Sequence, residues 1–240
     1  MQCQVMAIVN VTPDSFSDGG QYYKPEEALK RAKNAIDEGA RILDFGAEST
    51  RPGAAPLTWQ EEWARLNPVL SQLKVPAGVR LSVDTYHSET AERAIALGVT
   101  ILNCVYTKPI PAFLSLLRRF PQTELILPWS CVNDAQSLGL AEFAHRLIYD
   151  PMIGFGTSRE EDLALLQRIP EMKKAGRVLI GASRKRIVKK LTGEKVTGKN
   201  LGGNVAIALW SAFQGADYVR VHDVRETYQA IRVWEQLAAE

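Results

Sequence analysis

Residues 4–47 open with QVMAIVNV (4–11) and close with KPEEALKRAKNAIDEGARILDFGA (24–47). The first run is short, apolar and β-branched. The second has helical period as far as Gly39, where a C-cap is expected, and then passes into another apolar run, RILDFGA (41–47). Strand, helix, strand in that order is the unit of a parallel sheet wrapped by crossover helices. Further strand runs follow at VRLSVDT (79–85), TILNCVY (100–106), ELILPW (124–129), LIYDP (147–151), RVLIGAS (177–183) and YVRVHD (218–223). The intervening segments of helical period are TWQEEWARLNPVLSQL (58–73), HSETAERAIALG (87–98), IPAFLSLLRRF (110–120), DAQSLGLAEFAHR (134–146), REEDLALLQRIPEMKKAG (159–176), NLGGNVAIALWSAFQGA (200–216) and VRETYQAIRVWEQL (224–237). Gly98, Gly176 and Gly215 are further C-cap candidates, and Ser88 reads as a helix start. Eight evenly spaced units in 240 residues predict an α/β fold, a closed (βα)8 TIM barrel forming one domain over residues 1–240. An open, doubly wound sheet is the competing arrangement, and the even spacing without a long insertion favours closure.

The 29 basic and 27 acidic side chains nearly cancel, and no Lys/Arg block suits a polyanion, so neither nucleic acid nor an anionic membrane is an expected partner. The basic stretch KRIVKKLTGEKVTGK (185–199) reads as a solvated face. Cys3, Cys104 and Cys131 are odd in number and far apart, which points to free thiols in a reducing compartment. The first apolar run is broken by Asn10 and then by Thr12, Pro13 and Asp14, which fits neither a signal peptide nor a spanning helix, and a cytoplasmic location is expected.

In such a barrel the C-terminal strand ends and the loops after them build the active site. Polar residues collect there. Strand one ends at Asn10, with Asp14, Ser15 and Asp18 beyond; strand two carries Asp44, then Glu48, Thr50 and Arg51. Asp84, Asn103 and Asp150 end strands three, four and six, while Ser183, Arg184 and Lys185 follow strand seven, and Arg220, His222 and Asp223 lie on strand eight. Asp84, Asn103 and Asp150 are rich in acceptors and suit a flat 2-amino heterocycle that presents an edge of N–H donors, such as a pterin. Arg51, Lys185, Arg220 and His222 are rich in donors and suit a phosphate or diphosphate. Asp44 reads as a brace between strands, and Asp14 and Asp18 serve equally well as turn formers.

These residues fall within longer motifs: NVTPDSFSDGG, then ESTRPGA, SVDTY, DPMIGFG, SRK and RVHDV, in that order from Asn10 to Val224. The chain resembles the dihydropteroate synthases of the pterin-binding TIM-barrel family. The resemblance implies a transferase of folate synthesis. It would displace diphosphate from (7,8-dihydropterin-6-yl)methyl diphosphate with the amine of 4-aminobenzoate. By similarity, Asp84, Asn103, Asp150 and Lys185 hold the pterin, Asn10 helps to place a Mg²⁺ ion, and Arg220 and His222 share the diphosphate charge. Phe16 and Asp18 would cover the reacting methylene, Thr50 and Arg51 would complete the diphosphate and aminobenzoate sites, and Asp18, Lys185, Arg220 and His222 form the implied catalytic set. A homodimer through the late helices, around Trp210 and Phe213, is also implied.

Several positions depart from that pattern. Ala47 and Met152 replace glycines, Thr157 replaces a lysine, and Arg186 stands where a serine helps to hold the aminobenzoate carboxylate. Cys104 replaces an aspartate and is expected to remove a charge near the pterin floor. Strand five departs most: a Met-His pair is absent, LPWSCVNDAQSLG stands there, and Trp129 either covers the pterin or packs into the core. Two other functions accommodate these changes, a pterin-binding paralogue with altered amine or folate specificity and a non-catalytic pterin-binding partner subunit. The retained cationic loop residues favour the synthase.

Overall fold

Strands β1 (Gln4–Asn10), β2 (Ile42–Gly46), β3 (Arg80–Asp84), β4 (Ile101–Asn103), β5 (Glu124–Pro128), β6 (Leu147–Asp150), β7 (Arg177–Ile180) and β8 (Tyr218–Val221) pair in parallel and in chain order. Gln4 of β1 lies beside Tyr218 of β8, which closes the ring and rules out the open sheet. The computed structural model describes residues 3–12, 25–48, 55–196 and 198–238. Around the barrel run α1 (Pro25–Asp37), α2 (Trp59–Leu70), α3 (Ser88–Ala96), α4 (Ile110–Arg119), α5 (Ala135–Leu138), α6 (Arg159–Gln167), α7 (Ile169–Ala175), α8 (Arg186–Thr192), α9 (Leu201–Phe213) and α10 (Val224–Leu237). Among the described residues, no helix is long and apolar enough to cross a membrane.

Small side chains let the helices approach the strands. Ala28, Ala32 and Ala35, spaced on one face of α1, are buried against the barrel, and Phe113 and Leu117 do the same on α4. Truncating a buried leucine such as Leu117 to alanine costs about 2–5 kcal/mol.

Inside the barrel, the two-residue period of each strand stacks side chains in levels. At the N-terminal end, Glu124 accepts from Arg80 at 2.7 Å and Arg177 at 2.6 Å, and both guanidinium groups reach Tyr218 Oη at 3.3 Å. Above this ionic floor Met6, Ile42, Ile101, Ile126, Ile148 and Leu179 form an apolar plug, separate from the core between strands and helices. Beyond the plug, Asp44, Asn103, Asp150 and Arg220 follow two residues after Ile42, Ile101, Ile148 and Tyr218, with Ser82 beside Asp44, so the interior is polar again at its C-terminal mouth.

Three expectations change. DAQSLGLAEFAHR is not one helix: Trp129–Asp134 and Leu140–Arg146 are 3₁₀ turns, and the single-turn α5 between them ends at Gly139, whose φ is 66°. The 159–176 segment is two helices because Pro170 supplies no N–H and its ring collides with a carbonyl of the preceding turn. The basic stretch after Lys185 is not wholly solvated, since Ile187 and Val188 of α8 are buried. Other helix ends are as expected: α3 starts at Ser88, with His87 at the cap, and Gly176 caps α7 in an extended conformation (φ 161°) with the Tyr149 ring packed against it.

Candidate functional site

Strand register sets the mouth. Asn10 pairs with Gly46, Gly46 with Asp84, and Asp84 with Asn103, which puts four neighbouring strand ends at one level. Gly46 lies directly beside Asp84: a β-carbon there would sit 3.5 Å from the Asp84 β-carbon, an ordinary contact.

Arg220 crosses this level. Its Nε donates to Asp44 Oδ2 at 2.6 Å and its Nη2 to Asp84 Oδ2 at 2.7 Å. Fully buried Asp44 also accepts from Ser82 Oγ at 2.6 Å and Asn103 Nδ2 at 3.1 Å, which makes it the hub of the network and gives its bracing role a geometry. The bond to Asp44 orients the Asn103 amide so that Oδ1 is left buried and without a hydrogen bond among the described residues. Asp150 joins from β6, accepting Met152 N–H at 2.7 Å, and its other oxygen lies beside Gly181 together with Arg220. Asp84, Asn103 and Asp150 therefore share one cluster, as the sequence predicts. Arg220 lies within that cluster, whereas its expected place was the diphosphate grip.

Lys185 completes the cluster. Its ammonium donates to the Ile153 carbonyl at 2.5 Å and stands 4.4 Å from the centre of the Phe155 ring. Enclosure pushes Lys185 down to about 8, opposed by the Asp150 charge and reinforced by Arg220. Enclosure pushes Asp84 up to about 7; Arg220 opposes this, while Asp44, Glu62 and Asp150 add to it. Asp150 is raised for the same first reason, against the pull of Lys185 and the Met152 N–H.

Beside this cluster opens a cleft of 440 Å³ lined by Asn10, Arg31, Arg184, His222, Asp223 and Glu226, among others. His222 Nδ1 is 3.1 Å from Ser183 Oγ, and the His222 carbonyl accepts from Arg31 at 2.5 Å. Desolvation, then the charges of Arg184 and Arg220, lower His222 to about 4, so it is neutral near pH 7. Arg184 has a positive φ of 60°, pairs with Asp223 at 2.5 Å, and is held through its N–H by Asn204 Oδ1 at 2.9 Å. Among the described residues, no group of three acidic, histidine or cysteine side chains makes a metal cage.

Phe16, Asp18, Asp14, Thr50 and Arg51 lie outside the described residues. On either side of Thr50 and Arg51, Glu48 accepts from Leu57 N at 3.0 Å and from Tyr86 Oη at 2.8 Å. Arg186 is exposed and donates to the Thr157 carbonyl at 2.9 Å, across the turn that follows β6. Cys104 is not on the pterin floor: strand alternation turns it into the outer core, where it is buried. Cys3 and Cys131 are also buried, and burial pushes both Cys3 and Cys104 up to about 12, which leaves poor nucleophiles. Trp129 is half-buried and packs against the outer core with the Arg168 guanidinium 4.5 Å from its ring. Arg31 and Asn204 escaped the sequence reading. The only signal was an asparagine in the otherwise apolar α9, and Arg31 looks like any helix-surface arginine.

Fold and mouth together define an α/β-barrel enzyme that binds a donor-edged heterocycle beside an anion. A family model described as "Pterin binding enzyme" matches residues 6–130 and 129–222, and the chain belongs to that family. The dihydropteroate synthase of Neisseria meningitidis serogroup B is 39% identical over 98% of this chain and 92% of its own length. That of Escherichia coli K12 is 35% identical over 96% and 90%. Among solved structures, Xanthomonas albilineans dihydropteroate synthase with 4-aminobenzoic acid superposes with a TM-score of 0.88 at 35% identity, covering 99% of this chain and 94% of that one. The same enzyme in complex with 7,8-dihydropteroate gives 0.85 at 33% identity over 100% and 95%. The alignment to the Neisseria enzyme runs to 264 positions while covering 98% of a 240-residue chain, so that relative carries residues this chain lacks. The family match divides at residues 129–130, at the start of the first 3₁₀ turn.

Proposed function

We propose that the protein is a dihydropteroate synthase, joining 4-aminobenzoate to the exocyclic carbon of (7,8-dihydropterin-6-yl)methyl diphosphate. The new C–N bond replaces the C–O bond to diphosphate, and the amine gives up a proton. The observation that carries this reading is Asn103 Oδ1, a buried acceptor with no hydrogen bond among the described residues, in one cluster with the carboxylates of Asp84 and Asp150. An unpaired buried acceptor costs about 1–3 kcal/mol, and a ligand N–H arriving there removes that cost. The 2-amino edge of a pterin supplies such donors in a row.

Asp84, Asn103, Asp150 and Lys185 hold the ring. Asp84 and Asp150 also favour positive charge spreading into the pterin as diphosphate departs. His222 is neutral with Nδ1 3.1 Å from Ser183 Oγ, and the tautomer protonated at Nε2 would offer that N–H to the diphosphate across the cleft that Asn10 also lines. Arg220 supplies its charge from beneath, and Phe16, Asp18, Thr50, Arg51 and Arg186 complete the covering loops and the aminobenzoate end. Mg²⁺ fits here as an ion arriving with the substrate, because it takes few protein ligands and several phosphate and water oxygens; the Asn10 side chain is an exposed oxygen donor in that cleft. Bound there, it would neutralise leaving-group charge. No side-chain nucleophile is required, in keeping with the buried cysteines.

A homodimer is proposed through α9 and α10, where Trp210, Phe213, Val233 and Leu237 are exposed and Phe213 packs edge-on against Trp234. A cytoplasmic location follows from the free thiols. Incubation with the pterin diphosphate, Mg²⁺ and 4-aminobenzoate tests the activity. Equal yields of diphosphate and 7,8-dihydropteroate are expected. Diphosphate alone points to another amine, and neither product sinks the proposal.

A further inference from the structure

The turn after β6 is organised by a side chain outside the mouth. Asp162, in the first turn of α6, is completely buried. Its Oδ1 accepts Gly154 N–H at 2.7 Å and the Thr157 hydroxyl at 2.5 Å, while Oδ2 is buried with no hydrogen bond among the described residues. The turn it grips presents the Ile153 carbonyl to the Lys185 ammonium. At Gly154, where φ is 76°, an added β-carbon would come within 3.2 Å of Lys185 Cδ, so the backbone lies directly on the lysine stem.

We propose that Asp162 is a positioning residue for Lys185: it fixes the 152–157 turn from behind, and the turn in turn fixes the ammonium in the mouth. A carboxylate held without full solvation is costly, and a neutral side chain of the same shape would grip the turn nearly as well. What the charge adds is its field on Lys185. The other charges acting on that ammonium are Asp150 of β6, Asp84 of β3 and Arg220 of β8. Of these four, Asp162 alone lies outside the pterin cluster.

The inference rests on Lys185 being a pterin ligand, so its test includes a readout that needs no ligand. In protein carrying isotope-labelled lysine, the Lys185 side-chain resonance, assigned by its loss in Lys185→Arg, is titrated with pH. Calorimetry with the pterin diphosphate is run alongside. Asp162→Asn keeps an acceptor oxygen and removes the charge: the Lys185 midpoint should fall while Kd stays within about threefold. Asp162→Ala removes both, and Kd should rise about tenfold, the loss expected for one charge-assisted contact. Thr157→Val, which deletes one bond of the brace, should fall between. An unchanged Kd in folded Asp162→Ala overturns the positioning role; if that variant does not fold, an unchanged Kd and Lys185 midpoint in both Thr157→Val and Asp162→Asn overturns it. If Lys185→Ala binds pterin like the parent protein, the site assignment fails instead, and the resonance still reports on Asp162.

Discussion

Arg220 Nη2 lies 2.7 Å from Asp84 Oδ2, and the same guanidinium reaches Asp44 through Nε at 2.6 Å, so the cation stands among the carboxylates it was expected only to neighbour. Removing it exposes two acids to each other. Arg220→Ala should therefore weaken binding of free pterin as well as of the pterin diphosphate, and lower stability by about 3–5 kcal/mol, the cost of breaking an enclosed pair. Arg220→Lys, which keeps one contact, should lose less. Calorimetry with both ligands and thermal unfolding check this; an Arg220→Ala protein impaired only toward the diphosphate would return the residue to a purely anion-binding role.

Lys185 near 8 and Asp84 near 7 set a pH profile. Pterin capture needs the Lys185 ammonium and the Asp84 carboxylate, so kcat/KM should rise through about 7 and fall above about 8. Stability should run the other way. Between the ordinary carboxylate range and 7 the folded Asp84 holds a proton that the unfolded chain has released, so stability falls as pH rises there. Between 8 and 10.5 the unfolded chain holds the lysine proton that the fold has released, so stability recovers. Rate profiles and denaturant melts across pH 5–10 measure both, and Asp84→Asn should erase the acid limb.

Met152 occupies a left-handed backbone position, φ 63°, where the resembling family carries glycine. The strain is retained because Asp150 holds its N–H at 2.7 Å. Met152→Gly should raise stability by about 1 kcal/mol, the left-handed penalty less the extra entropy of glycine. A thermal melt decides, and a lower Tm would mean that the methionine side chain contributes more by packing than its backbone costs.

Glu124 joins Arg80 and Arg177 at the closed end of the barrel, below the apolar plug. Glu124→Gln should cost about 1.5–3 kcal/mol of stability while leaving pterin affinity unchanged, because Met6, Ile101 and Ile148 separate the two ends. Urea titration and calorimetry test the separation; a matching loss of affinity would show that the two ends are coupled.

The strands were legible because each is a short apolar run and most end in a polar residue, and the two-residue period carries Asp44, Asn103, Asp150 and Arg220 inward without further information. The 129–146 segment was not legible: its apolar spacing suits one helix, yet Gly139 takes a left-handed conformation (φ 66°) that ends the helix after a single turn. Residue type placed Arg220 with the diphosphate, since sequence shows its charge but not that closure of the barrel brings Asp44 of β2 within reach of it, one strand away across β1. The pull of Asp162 on Lys185 was hidden for a related reason. Its carboxylate sits in a helix start that reads as ordinary capping, and only the folded turn connects the two.

The most direct test is a crystal structure of the protein with bound 7,8-dihydropteroate. The account predicts that Asn103 Oδ1 accepts a ring or amino N–H at about 3 Å, with Asp84 and Asp150 on the same edge and Lys185 beside it. A pterin ring bound elsewhere, with Asn103 Oδ1 still unpartnered, would contradict it.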